Sequence, residues 1–280
     1  MPDLGVVLTC FEGTGTTGTT IGDVKAGGNF TVDPAVINDI SIDGMTVSQG
    51  GMVKTTFEIE VLRPVKTYLT AMLRGNAASA VAAKEFTVGK SDGRVYVVGC
   101  KPSGFTYGAG VDQIPRTRLG YWGLTPTEVA SGATLQPTAA GGVSDGWSGF
   151  SVLLGTTTGT GVNYGVQSFE LTLNTNPLWY GELSAKTAGV KRIPTAVLLG
   201  QQDWSLTLDC ATKITHTVAK LTADAIATDF SFTADAADID FTLGGMPTPA
   251  EPWEMKGPGE LVTWRYQFNV PSKWGTAIVA

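Results

Sequence analysis

The sequence is short of the residues from which most catalytic and metal centres are built. Its 280 residues include a single histidine, His216, and three widely spaced cysteines, Cys10, Cys100 and Cys210. One imidazole and no close pair of thiols offer no spacing for a metal site. The odd number of cysteines forms no disulfide framework, so we expect buried, reduced thiols. The sequence therefore predicts no metal, no cofactor and no catalytic residues.

Charged residues are also scarce. They make up 16 % of the chain, whereas soluble domains average about 25 %. The 25 acidic and 19 basic residues leave a net charge of -6, which argues against a protein that binds nucleic acid through its phosphates, because such binding requires a basic stripe. A surface with so little charge indicates assembly, because neighbouring subunits usually cover such surfaces.

Long hydrophobic runs are absent. No stretch approaches the roughly 18 consecutive apolar residues of a membrane-spanning helix, so we expect no membrane insertion. The N-terminus has no basic region and only a short apolar run, so we expect no signal peptide.

What the sequence does contain is alternation of apolar and polar residues in segments rich in β-branched and aromatic residues, joined by Thr and Gly. The clearest predicted strands are residues 55–62, 94–99, 166–173, 204–209 and 263–270. This pattern is typical of antiparallel strands with one packed and one polar face. It predicts a mainly β fold, an antiparallel sandwich or barrel.

One flanking helix is predicted near residues 65–84, where Tyr68, Leu69, Met72 and Leu73 form a one-sided apolar face. Residues 214–225 have helical spacing but many threonines, so both helix and strand stay open there.

Three segments are predicted as long loops: residues 13–28, 125–149 and 155–165. Loops of this length are usually functional or become ordered against a partner. The middle loop is the natural boundary between two β domains, residues 1–140 and 141–280.

A weak sequence similarity between two segments of the chain is consistent with related halves. Residues 56–59, Thr-Phe-Glu-Ile, resemble residues 168–171, Ser-Phe-Glu-Leu, and each segment is followed some forty residues later by Cys100 or Cys210. A duplication and two unrelated halves both remain open.

Two enzyme-like motifs lack the context that their chemistry requires. Residues 13–18 match the G-x-G-x-x-G pattern, but no good helix follows to bind a pyrophosphate. Residues 89–93 match G-x-S-x-G, with His216 and Asp203 or Asp209 available for a triad. A strand follows instead of the helix of a nucleophile elbow, so we interpret this motif as a hairpin turn.

Candidate assembly residues are loop threonines and aromatic residues beside proline or glycine, where subunit interfaces often have their anchors. They are Thr16, Thr17, Thr157, Thr158, Trp179, Tyr180 and Trp253.

Residues 166–181, followed by Ile193-Pro194-Thr195 and then residues 204–208, resemble a bacteriophage major tail tube protein. The likeness covers residues 165–209 well and residues 53–73 loosely, through its pattern of paired strands and not through an invariant signature.

The resemblance implies a β-sandwich with one flanking helix whose subunits join sheets edge to edge. It implies a structural virion protein, made in the host cytoplasm, that forms stacked rings and a hollow tail through which DNA passes without specific binding. The rings are hexameric or, if the halves are duplicates, trimeric and pseudo-hexameric. The implied partners are further copies of the chain and the tape measure, terminator and baseplate proteins.

Two other classes of function remain as alternatives. Another β-rich phage component, such as a tail terminator, a baseplate hub or a decoration protein, would form a single ring or sit on a surface. A β-sandwich binding module or a hydrolase would act as a monomer through exposed aromatic residues or residues 89–93.

Overall fold

The computed structural model describes residues 7–12, 17–19, 29–40, 46–61, 84–90, 95–124, 126–129, 136–138, 150–157, 160–162, 164–181, 194–212, 230–234, 246–249 and 263–270. Every regular secondary-structure element assigned within these residues is a β-strand, which confirms the predicted mainly β fold.

The strands are β1 (Val7–Glu12), β2 (Thr17–Thr19), β3 (Asn29–Ile40), β4 (Thr46–Val61), β5 (Lys84–Lys90), β6 (Val95–Gly110), β7 (Arg116–Gly123), β8 (Thr127–Val129), β9 (Gln136–Thr138), β10 (Phe150–Thr157), β11 (Thr160–Val162), β12 (Val166–Asn174), β13 (Leu178–Tyr180), β14 (Ala196–Leu198), β15 (Asp203–Cys210), β16 (Phe230–Ala234), β17 (Met246–Pro249) and β18 (Trp264–Val270).

Within the described residues, eleven strands form one antiparallel main sheet, whose principal order is β17-β18-β15-β12-β6-β7-β4-β3. The long strand β6 divides it, because its first half pairs with β5 and its second half pairs with β12. A register shift between Pro102 and Gly104 in the pairing with β7 separates the two halves. Strand β5 also pairs with β1, so β1 and β5 branch from the rest of the sheet.

The core fills the space between this branch and the main sheet. Phe86 of β5 contacts Tyr121 of β7 and Phe57 of β4, with ring centroids 4.6 and 5.5 Å apart. Tyr107 and Phe169 continue the core along the sheet in an edge-to-face contact at 5.3 Å. Alternate residues of each strand face this core, as strand geometry requires. The buried aliphatic residues include Ile59, Val61, Val88, Val98, Leu119, Leu171, Leu173, Leu206 and Leu208.

The structure corrects the prediction of three uninterrupted loops. Strand β2 lies within the first predicted loop and pairs in parallel with β9, which lies within the second. Strands β10 and β11 pair antiparallel where the third loop was predicted. The β2–β9 pair joins segments more than a hundred residues apart, so the local sequence carries little signal for it.

Strand β6 is much longer than the predicted strand at residues 94–99, since it continues to Gly110. Between Cys100 and the end of β6 the sequence contains Pro102 and three glycines, which usually indicate turns. Here the register shift beside Pro102 and the positive φ of Gly104, 152°, let the strand continue.

The main sheet contains strands from both sides of residue 140, because β12 pairs directly with β6. The division into two domains and their duplication remain predictions. Most of the predicted helix near residues 65–84 and all of the ambiguous segment 214–225 lie outside the described residues, and Lys84 begins strand β5.

Candidate assembly surface

The side of the main sheet opposite the core carries polar and charged residues, and we call it the polar face. Strand alternation produces it, because alternate residues over 55–61, 117–123, 169–173 and 206–210 are buried, and most of them are apolar. The in-register pairs Glu60–Arg118, Arg118–Thr106, Thr106–Thr172 and Thr172–Ser205 carry one polar row across five strands. The polar face therefore extends across the sheet as a continuous surface.

Charges on the polar face are paired with one another. Arg118 Nε lies 2.8 Å from Glu58 Oε1, and Arg118 Nη2 lies 3.5 Å from Glu60 Oε2. Arg116 Nη1 is 3.5 Å from the other oxygen of Glu60. Arg265 Nε is 3.5 Å from Asp209 Oδ1. These ion pairs neutralise the field of the arginines over the sheet.

A shallow depression of about 370 Å³ lies on the polar face. Its lining includes three arginines and three carboxylates, so it is close to neutral: Arg116, Arg118, Arg265, Glu60, Glu170 and Asp209. Ser168 Oγ donates a hydrogen bond to Asp209 Oδ2 at 2.7 Å. With its charges balanced, the depression has no net attraction for a polyanion.

Strands β13 and β14 form a two-stranded antiparallel hairpin. In the sequence this hairpin lies between β12 and β15, which pair directly with each other in the main sheet. Trp179 of β13 stacks on Trp122 of β7, with ring centroids 3.6 Å apart and planes inclined by 12°. Lys54 Nζ lies 5.2 Å from the centroid of the Trp179 ring, close enough for a cation–π contact. These contacts hold the hairpin against one end of the polar face.

Hydrogen bonds at the base of the hairpin fix its orientation. Thr175, buried, donates from Oγ1 to the carbonyl of Pro102 at 2.7 Å. Asn176 has a positive φ of 44° and donates from Nδ2 to the carbonyl of Gln201 and to Asp203. Asparagine adopts this left-handed conformation more readily than most residues. The hairpin is thus anchored at its base as well as through Trp179.

The other face of the hairpin is apolar and exposed. Leu178, Tyr180 and Leu198 expose 64, 43 and 49 % of their surface, and Leu178 pairs directly with Leu198. Their neighbour Val197 is buried. We call Leu178, Tyr180 and Leu198 the hairpin patch.

A second exposed apolar site lies in the turn between β6 and β7. Val111 and Ile114 expose 41 and 53 % of their surface, and we call them the turn patch. The turn is held by a hydrogen bond from the Val111 amide to the Gln167 carbonyl at 2.8 Å, and Asp112 has a positive φ of 61°. Ile114 also lines the depression on the polar face.

The structure places the predicted assembly residues in different settings. Trp179 packs within its own chain, and Tyr180 belongs to the hairpin patch. Thr17 lies in β2, and Thr157 pairs with Thr160 at the end of β10. Thr16, Thr158 and Trp253 lie outside the described residues.

Leu178, Leu198, Val111 and Ile114 were not among the predicted assembly residues. The available signal was alternation in Leu178-Trp179-Tyr180, which puts Trp179 on one face and its two neighbours on the other. For the turn patch, a pair of aliphatic residues between Gly110 and Pro115 was the only hint.

The three cysteines are free and buried, as predicted. Burial raises the pKa of Cys100 and of Cys210 to about 12, and it raises the pKa of Cys10 well above its usual range. These thiols are therefore protonated at neutral pH and poor nucleophiles.

The remaining enzyme-like features find little support in the described part of the chain. Strands β5 and β6 pair antiparallel on either side of residues 91–94, so a strand follows the G-x-S-x-G motif. His216 lies outside the described residues. In the part that is described, no cluster of His, Cys, Asp and Glu suits a metal ion. Nor do the described residues include a helix long and apolar enough to cross a membrane.

Comparison with known proteins identifies the family. No curated protein matches the chain. The family model described as phage tail tube protein matches residues 4–265. This match covers nearly the whole sequence, and it agrees with the antiparallel fold and with the resemblance carried by residues 166–181 and 204–208. The chain belongs to the phage tail tube protein family, and it is a structural component of a phage tail.

Proposed function

We propose that the chain polymerises into stacked rings that form a hollow tube, and that phage DNA is delivered through this tube. The observation that carries the proposal is the continuous polar face of the main sheet in a member of the tail tube family. The tube needs no catalytic site, because its function lies in its assembled shape.

The polar face suits the wall of a DNA channel. Its arginines are close enough to carboxylates for ion pairing, so few positive charges are free to hold phosphates. Hydroxyl groups such as those of Thr106, Thr172 and Ser205 keep the surface hydrated. DNA slides past a hydrated, nearly neutral wall without being bound to it.

Ring formation allows the edge strands of the main sheet to pair with neighbouring subunits. Strands β3 and β17 end its principal path, and exposed strand edges favour pairing with another chain. Two of the four residues of β17 are prolines, Pro247 and Pro249, which have no amide hydrogen to donate. Side-chain contacts therefore contribute more than backbone hydrogen bonds to any contact at β17. A closed ring leaves no free edge.

The proposal includes the finer points that the resemblance implied. The rings are hexamers, or trimers if each chain supplies two related halves. The tube contacts the tape measure, terminator and baseplate proteins, and the chain is made in the bacterial cytoplasm before it joins the virion.

Electron microscopy of the purified protein across a range of concentrations tests the proposal. We expect hollow rods with a regular axial repeat, and image averaging gives the number of subunits in each ring. Isolated rings that never stack would favour a terminator or a hub. A monomer at every concentration would contradict assembly.

A further inference from the structure

The hairpin patch and the turn patch lie at opposite ends of the main sheet. Strands β6 and β12 run between them, with Gly110 paired to Ser168 near the turn patch and Gly104 paired to Asn174 near the hairpin. The six residue steps between these pairs correspond to about 20 Å along the strands. One chain therefore presents two separate apolar sites, one at each end.

We propose that the hairpin patch of one copy binds the turn patch of the next copy. The proposal rests on the proposed tube function and assigns residues to one of its contacts. A contact between two different surfaces of identical chains leaves one site of each kind free, so it can repeat until a ring closes or a rod forms. Pairing of two hairpin patches would instead stop at a dimer.

A second copy fits the two patches better than an unrelated partner does. A repeating contact between copies covers both patches at once, whereas a separate partner at either end would leave the other patch exposed. Each patch combines an apolar centre with polar neighbours, Asp112 and Gln113 at the turn and Asn176 and Thr195 at the hairpin. This arrangement is typical of protein interfaces.

Both patches are held rigidly before any contact forms. The Trp179–Trp122 stack and the bonds of Asn176 fix the hairpin, and the Val111 amide bond fixes the turn. Rigid surfaces lose little conformational entropy on binding. Because Ile114 borders the depression, end-to-end contact would bring the polar faces of successive copies next to each other.

The test uses two complementary variants of the full chain. The hairpin variant carries Leu178→Glu and Leu198→Glu, and the turn variant carries Ile114→Glu. All three side chains are substantially exposed, so folding should survive, and circular dichroism and thermal unfolding check it. We expect each variant alone to need at least a tenfold higher concentration than the unaltered protein to form rods. Sedimentation and electron microscopy measure this.

Mixing the two variants in equal amounts gives the sharper result. The intact hairpin of the turn variant meets the intact turn of the hairpin variant, but no further contact of this kind can form. We therefore expect a complex with twice the mass of the species that each variant forms alone, and no rods. Leu124→Glu is the matched control, because Leu124 is an exposed leucine in neither patch, and it should polymerise normally.

Several results would overturn this assignment. They are normal rods from either variant alone, no complex in the mixture, self-association of the turn variant alone through its hairpins, or an equal loss in Leu124→Glu. Absence of rods from the unaltered protein would contradict the proposed tube, whereas the mass of the mixed complex tests the contact whether or not rods form.

Discussion

Trp122 of β7 and Trp179 of β13 stack face to face, with their ring centroids 3.6 Å apart. The contact joins the hairpin to one end of the polar face of the main sheet. It uses Trp179 inside the chain and leaves Tyr180, the next residue, pointing outward in the hairpin patch. The stack therefore fixes the orientation of the hairpin patch, and a fixed surface loses little conformational entropy when a subunit contact forms.

The stack makes Trp179→Ala destabilising. We expect the free energy of unfolding to fall by about 2 kcal/mol, less than the 3–5 kcal/mol typical of a fully buried tryptophan, because Trp179 is only partly buried. Tyr180→Ala is the control and should cost under about 0.5 kcal/mol, since Tyr180 is exposed. Urea unfolding below the assembly concentration measures both. Equal losses would show that the stack does not stabilise the hairpin.

Gly104 has no room for a side chain. Its φ is +152°, and an added Cβ would lie 2.1 Å from the carbonyl oxygen of Leu173 in the neighbouring strand. We expect Gly104→Ala to cost roughly 3 kcal/mol or more, or to prevent folding. Gly99→Ala, in the same strand with open space around it, should change stability by less than about 1 kcal/mol. Thermal unfolding compares the two, and similar melting temperatures would refute the steric argument.

The buried thiols predict a loss of stability at alkaline pH. Burial raises the pKa of Cys100 from its ordinary value of 9.0 to about 12. Between these values the unfolded chain has lost this proton and the folded chain has kept it, so stability is complete below pH 9 and falls as pH rises toward 12. Cys10, Cys210 and Tyr107 act in the same direction.

Each such thiol should steepen the decline by about 1.4 kcal/mol per pH unit. Urea unfolding at a series of pH values measures the slope, and Cys100→Ala should reduce it by the contribution of one proton. An unchanged slope in this variant would mean that the Cys100 thiol does not titrate differently in the two states.

The ion pairs of the polar face should contribute little to folding. Arg118 contacts Glu58 and Glu60, but Arg118 and Glu58 are largely exposed to solvent. We expect Arg118→Met to lower the free energy of unfolding by less than about 1 kcal/mol, and added salt to reduce the difference further. A loss of several kcal/mol in urea unfolding would show that these charges hold the sheet together.

Much of the fold was predictable from local pattern. Alternation in residues 55–62, 166–173 and 204–209 identified β4, β12 and β15 and indicated which residues face the core, because strand geometry turns a period of two into two faces. The same alternation predicted a polar surface. The low charge and the family resemblance agreed with a structural role in a phage tail.

Except for the local β10–β11 pair, the predictions that failed depended on pairing between distant segments. Strand β2 forms against β9, and β6 continues through Pro102 and Gly104 because neighbouring strands accept its change of register. No short window of local sequence contains β9, the partner of β2, or β12, the distant partner of β6. Turn-forming residues were therefore interpreted as loops where tertiary contacts make strands.

The sequence by itself determined that this protein is a β-sheet protein with little charge and reduced cysteines, because these properties depend on composition and on the period of two within single strands. Tertiary structure alone decided that Trp179 packs inward while Leu178, Tyr180 and Leu198 face outward, and that two apolar patches lie at opposite ends of the sheet. The physical reason is that exposure depends on which distant strand a residue packs against, as Trp179 packs against Trp122.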